Sequence, residues 1–254
     1  MLAMAGSATL GFAPFARADM LDDIKKAGVI RIAVPQDLPP WGVVGPDMQP
    51  HGYDIDMAKL IASKLGVKLQ MVPVTSENRI PFLETGKVDL VISSLGKNPA
   101  RAKVIDFSDK YAPFFSGVFG PKTIDVKSPA DLANLSVAVT RGNIEDMALT
   151  KLVPASAKIM RYGDNQSTIS AFASGQTQLI CTDSSTAAEM LTKHAPRKPL
   201  LKFILQSSPC YIGISKNHPD LLAKVNEIIA SARADGTLNK ICEHWLKEPL
   251  PADF

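Results

Sequence analysis

The feature that most constrains the fold is an apolar run, Val88–Asp89–Leu90–Val91–Ile92, that stops abruptly at Ser93–Ser94. A small, polar, positively charged segment follows, containing Gly96 and ending at Arg101. A buried strand that empties into hydroxyls, a glycine and an arginine has the make-up of the carboxyl edge of an open α/β sheet, where such sheets hold ligands. Arginine suits that place because its guanidinium grips a carboxylate through two parallel N–H bonds, which lysine cannot do.

The rest of the chain supplies the sheet. Val29–Val34 reads as a first strand, and Pro35 to Trp41, with three prolines, as an extended loop with neither helix nor ladder. Asp54 is the expected N-cap of a helix that keeps its apolar period through Leu65 and closes at Gly66. A strand over 67–74, a short helix over 78–85 and the strand 88–92 complete a β-α-β-α-β order, which predicts a parallel sheet covered on both faces. A second alternation follows: strands over 136–140, 158–161 and 178–182, with helices over 144–152, 166–173 and from Asp183 to Lys193. Extended runs near 201–205 and 211–215 lead to an amphipathic helix over 221–234 and a last one over 238–246. Two α/β units joined by two extended connections make a hinge, and ligands favour such clefts. The expected division is a first lobe of residues 19–112 plus 209–254 and a second of 113–208.

The first residues stand apart. Residues 2–15 are apolar, and Ala16–Arg17–Ala18 fits a small-x-small cleavage pattern, so residues 1–18 read as a secretory signal. The apolar stretch is too short to span a bilayer. A net charge of +3, without a basic run interleaved with aromatics, argues against nucleic acid. Cys181, Cys210 and Cys242 form no CxxC, which argues against zinc. Either two of them pair in an oxidising compartment or all three are buried thiols, and spacing does not choose. The four histidines show no ligand spacing, so neither metal nor cofactor is expected.

Taken together, Gly28-Val-Ile-Arg-Ile-Ala, Pro39-Pro-Trp41, Gly52-Tyr-Asp-Ile-Asp-Met, Asn78-Arg-Ile-Pro, Gly86-Lys-Val-Asp-Leu-Val-Ile-Ser, Arg101 with Asp106-Phe-Ser-Asp, Leu132 before Val137, and Asp235-Gly-Thr-Leu carry a resemblance. The chain resembles the bacterial extracellular solute-binding proteins of the amino-acid class, the receptor components of ABC importers. The resemblance implies an α/β, two-lobed periplasmic-binding-protein fold of type II. In it each lobe is a mixed, mostly parallel sheet flanked by helices, and two hinge strands join the lobes. It also implies a periplasmic, monomeric protein that delivers an amino acid to ABC permease transmembrane subunits.

Residue by residue, the resemblance implies that Arg101 holds the ligand's α-carboxylate, that Ser93 and Ser94 line the site, and that Asp183 takes the α-amino group. The turn Gly142–Asn143–Ile144 offers backbone N–H groups from a helix N-terminus, and Trp41 and Leu38 wall the pocket. Gly96 and Ile144 stand where the family commonly has hydroxyl residues. Leu38 and Ser76 stand where binders of basic amino acids stack aromatic rings, and Pro35 and Gly117 where the glutamate/aspartate branch has arginines. A polar or small neutral amino acid is therefore expected. The alternative is a periplasmic enzyme on the same scaffold, such as a cyclohexadienyl dehydratase. Glu145 is the one local candidate for its acid or base, and it reads more simply as a carboxylate in a helix's first turn.

Overall fold

The computed structural model describes residues 20–192, 197–252 and 254. The expected signal segment, residues 1–18, and His194 lie outside the described residues. The chain opens with α1 (Met20–Ala27), β1 (Val29–Val34) and a small antiparallel sheet of β2 (Asp37–Leu38), β3 (Gly42–Val44) and β4 (Pro50–His51). It continues through α2 (Tyr53–Leu65), β5 (Lys68–Pro73), α3 (Arg79–Glu84), β6 (Leu90–Val91), α4 (Pro99–Val104) and β7 (Ile105–Ala112). Next come β8 (Phe115–Gly120), a 3-10 turn at Pro129–Leu132, β9 (Ser136–Thr140), α5 (Ile144–Leu152), β10 (Lys158–Tyr162) and α6 (Asn165–Ala173). Then follow β11 (Leu179–Asp183), α7 (Ser184–Thr192), β12 (Leu200–Ser207), β13 (Cys210–Ser215), α8 (Pro219–Ala234) and α9 (Thr237–Leu246).

Two five-stranded sheets result, in the orders β5-β1-β6-β13-β7 and β10-β9-β11-β8-β12. In each, four strands run in one direction and one is reversed: β13 in the first sheet and β8 in the second. This is the two-lobed, mixed α/β architecture that the family resemblance implies; the strand–helix alternation by itself predicted parallel sheets, and β13 and β8 depart from it. The chain crosses between sheets after Ala112 and returns after Ser207, and the crossings lie side by side: the Ser208 N–H donates to the Phe114 carbonyl at 2.9 Å. The first lobe's core packs α2 and α8 against the sheet through Ile30, Ile32, Ile55, Ile61, Ile212 and Ile229, all at or near zero exposure. Each fully buried aliphatic chain of this kind contributes about 1.5–3 kcal/mol.

The structure corrects three local expectations. Pro35 to Trp41 does enter a ladder: Asp37 and Leu38 lie between the prolines, keep their N–H groups, and pair with Val43 and Gly42. The N-cap of α2 is Gly52, not Asp54. Gly52 has φ 141°, and a Cβ there would lie 2.3 Å from the Trp41 carbonyl oxygen, so the chain enters α2 against Trp41. The segment carrying Arg101 is a short helix, α4, started by Asn98, whose side chain accepts the Arg101 N–H at 2.9 Å, with Pro99 in its first turn. All three cysteines are free and buried, so no pair forms among them. Among the described residues no helix is long and apolar enough to cross a membrane.

Candidate functional site

A small cavity lies between the two sheets. Leu38, Ser76, Arg79, Ser94 and Phe114 line it from the first lobe and the crossing. Asn143, Ile144, Glu145, Asn165, Thr182 and Asp183 line it from the second. The free space enclosed within it is about 20 Å³, room for about one water molecule between the lobes as they stand.

On the first-lobe side the backbone is pinned from below. Asp54, in the first turn of α2, accepts the Ser94 N–H at 2.7 Å and the Tyr111 hydroxyl at 2.6 Å. Ser94 has φ 42°, a left-handed conformation that costs a non-glycine residue roughly 1–3 kcal/mol and survives only where the surroundings enforce it. Burial lifts the Asp54 carboxyl to about 7, although the Tyr111 and Ser94 bonds pull it down. Asp54 is thus the post that holds the serine turn.

The arginines have divided roles. Arg101, 4 % exposed, donates from Nη1 to the Gly96 carbonyl at 2.7 Å and from Nη2 across the cleft to the Gly142 carbonyl at 2.9 Å. Burial, and then the nearby Arg79 charge, depress its value to about 9, which leaves it charged at neutral pH. Arg79, 3 % exposed and facing the cavity, donates to the Ser93 carbonyl. The Nε atoms of both arginines are buried without a partner.

On the second-lobe side, β11 ends in Asp183. Its carboxylate accepts the Thr186 N–H at 2.9 Å, capping α7, and the Trp41 indole N–H at 3.1 Å from across the cleft. The capping role and the cavity-facing role coexist. Burial raises its carboxyl above the ordinary range. Glu145, in the first turn of α5, accepts the Ser116 hydroxyl at 2.8 Å. Burial, then the Asp183 charge, lift it to about 7. Two acids, Glu145 and Asp183, and one guanidinium, Arg79, thus line one small volume, while Asp54 and Arg101 lie outside its lining.

The structure brings Leu38, Ser94, Asn143, Ile144 and Asp183 together at the cavity. It places others one layer back. Ser93 serves Arg79 through its carbonyl, and Trp41 is fully buried behind Asp183. Gly96 and Gly142 present carbonyls to Arg101. A Cβ on Gly96 would lie 2.7 Å from the Ser208 hydroxyl, so bulk there is excluded by the crossing as well as by the site. Two N–H groups of the Gly142–Ile144 turn are engaged within the protein: Gly142 donates to Asp146 at 3.1 Å and Asn143 to the Thr140 carbonyl at 3.3 Å. Arg79, Asn165, Thr182 and Phe114 were not singled out from sequence, and Glu145 only as a catalyst. The available signal was helical spacing: Arg79 and Glu145 stand four residues before the buried Leu83 and Leu149 and so share their inward faces.

The chain is 27 % identical over 235 residues to the ABC transporter glutamine-binding protein GlnH of Bacillus subtilis (strain 168), covering 91 % of this chain and 85 % of that protein. Among solved structures it is similar to a mutant of ArgBP from T. maritima, with TM-score 0.83 and 29 % identity over 90 % of this chain and 99 % of the other. It is likewise similar to the ancestral amino acid-binding protein AncCDT-1, a precursor of cyclohexadienyl dehydratase, with TM-score 0.81 and 33 % identity over 90 % of this chain and all of the other (100 %). A family model matches residues 30–248. With the two-lobed fold and the shared cleft, this match means that the chain belongs to the bacterial extracellular solute-binding proteins, family 3.

Proposed function

We propose that the protein binds an amino acid with an uncharged polar side chain between its lobes and delivers it to the permease of an ABC importer outside the cytoplasmic membrane. One observation carries the reading: Asp183 of one lobe and Arg79 of the other face the same small cavity, with Arg101 directly behind. A zwitterion needs an anion and a cation on opposite walls. The ammonium goes to Asp183. The carboxylate meets the positive potential of both guanidinium groups and of the α5 N-terminus, which adds about half a unit charge.

The remaining groups select the side chain. Arg79 brings only donors and Glu145, when ionised, only acceptors. A primary amide presents one carbonyl and one NH₂ group and satisfies both without adding charge. A carboxylate side chain would face Glu145, and a cationic one would face Arg79. Each mismatch leaves a buried charge opposed by its like. Glutamine or asparagine is therefore the preferred cargo. Binding needs no covalent step: a ligand that touches both walls favours the closed arrangement by its differential affinity for it, and the permease reads the closed rims.

The test is titration calorimetry with L-glutamine, L-asparagine, L-glutamate, L-arginine, L-cystine and L-alanine on protein refolded free of copurified ligand. Glutamine or asparagine binds tightest, and Arg79→Met, which removes a charge facing the carboxylate as well as a donor to the amide, weakens alanine too but the amide ligand most, by at least tenfold. Absence of binding by every one of the six sinks the proposal.

A dehydratase reading is favoured by one feature, the buried Glu145 carboxyl near 7 at the cavity wall, a value suited to a general acid. Turnover of prephenate or arogenate, followed by ultraviolet absorbance, decides for it; its absence leaves the binding role alone.

A further inference from the structure

Residues 37–41 of the first lobe reach across the cleft with three polar groups. The Asp37 carboxylate accepts the Asn165 backbone N–H at 2.7 Å and the Asn165 side-chain amide at 2.9 Å. The Pro39 carbonyl accepts the Thr186 hydroxyl at 2.8 Å, and the Trp41 indole donates to Asp183. Every partner stands at the start of a second-lobe helix, Asn165 opening α6 and Asp183 with Thr186 opening α7.

The Asp37 contact has the strongest physical basis. A helix begins with N–H groups that lack intrahelical acceptors and with a partial positive charge. In α6 the N-cap Asp164 accepts the Ser167 N–H at 2.6 Å, which leaves the Asn165 N–H to another acceptor. Asp37 supplies it from the opposite lobe, so one carboxylate completes a helix cap only when the cleft is shut. Both its bonds are charge-assisted and therefore about twice as strong as neutral ones. Asp37 does not line the cavity, and each bond joins protein atom to protein atom.

We propose that Asp37 is a clasp which closes the receptor independently of its cargo, so that a closed population exists before any ligand enters. The Pro39 and Trp41 contacts set the register in which the carboxylate meets α6. Apparent affinity scales with the competent fraction, so the clasp tightens every ligand by one common factor and selects among none.

The experiment reads lobe separation directly. Spin labels are placed through Lys64→Cys and Lys151→Cys, exposed positions on the two lobes; the three native thiols are buried. Distances are measured by double electron–electron resonance on protein refolded free of ligand. The parent shows a short-distance population that falls about tenfold or more in Asp37→Ala, a loss appropriate to hydrogen bonds with a charged partner. Asp37→Asn, which keeps the shape and one acceptor oxygen, retains part of it. Melting curves confirm that both variants are folded. A parent with no short-distance population, or a distribution unchanged by Asp37→Ala, overturns the proposal. Because the readout contains no ligand, its result is independent of which cargo the cleft takes.

Discussion

Glu145→Gln tests the electrostatics of the cleft without altering its shape. The wild-type carboxyl is fully buried, bonded to Ser116, and held at about 7 instead of the ordinary 4.5 by burial first and the Asp183 charge second. A carboxyl whose value is higher in the fold than in the unfolded chain binds more protons in the fold. Stability therefore falls as pH rises from about 4.5 to about 7 and is level above that. The gap corresponds to roughly 3 kcal/mol of destabilisation at pH 8. Glutamine retains an acceptor for the Ser116 hydroxyl and removes the charge. Its melting temperature at pH 8 should exceed the parent's by about 6–12 °C, taking about 2–4 °C per kcal/mol for a chain of this size. At pH 5, where Glu145 is protonated in the fold, the two proteins should melt within about 3 °C of each other. Differential scanning calorimetry at both pH values, on ligand-free protein, is the assay. A difference that does not depend on pH, or a variant less stable at pH 8, refutes the reasoning.

Two further substitutions separate ligand chemistry from scaffold. Asp183→Asn preserves an acceptor for the Thr186 N–H but removes the charge that meets the ammonium, so calorimetric affinity should fall about tenfold to a hundredfold while stability shifts by about 1 kcal/mol or less. Gly52→Ala drives a Cβ against the Trp41 carbonyl at a backbone angle alanine rarely adopts; urea titration should show a loss of at least about 2 kcal/mol.

The architecture was readable because its signals are periodic. The helix over 53–65 repeats apolar residues on one face and stops at Gly66 in the left-handed conformation, and β1 and β9 begin and end where their apolar runs do. Short elements carry no period, which is why the two-residue strand at Asp37 and the six-residue helix at Arg101 escaped, although Asn98 and Pro99 together mark a helix start. The site was legible only in part. Asp183 and Ser94 end or follow strands, where function concentrates in such sheets. Arg79 and Glu145 are charged, and a charged residue on a helix reads as solvated until its surroundings are known. The Trp41–Asp183 bond joins residues 142 apart, and no local pattern encodes that meeting.

The paired crossings at Phe114 and Ser208 have an engineering consequence. Because the outgoing and returning strands touch there through one backbone bond, everything between them departs from and comes back to a single point. Such a unit is a cassette: its two ends need only a short splice, and the half of the molecule bearing Glu145 and Asp183 can be swapped between relatives without rethreading the other half. Chimaeras joined at these two residues would move cargo preference and leave the first sheet undisturbed.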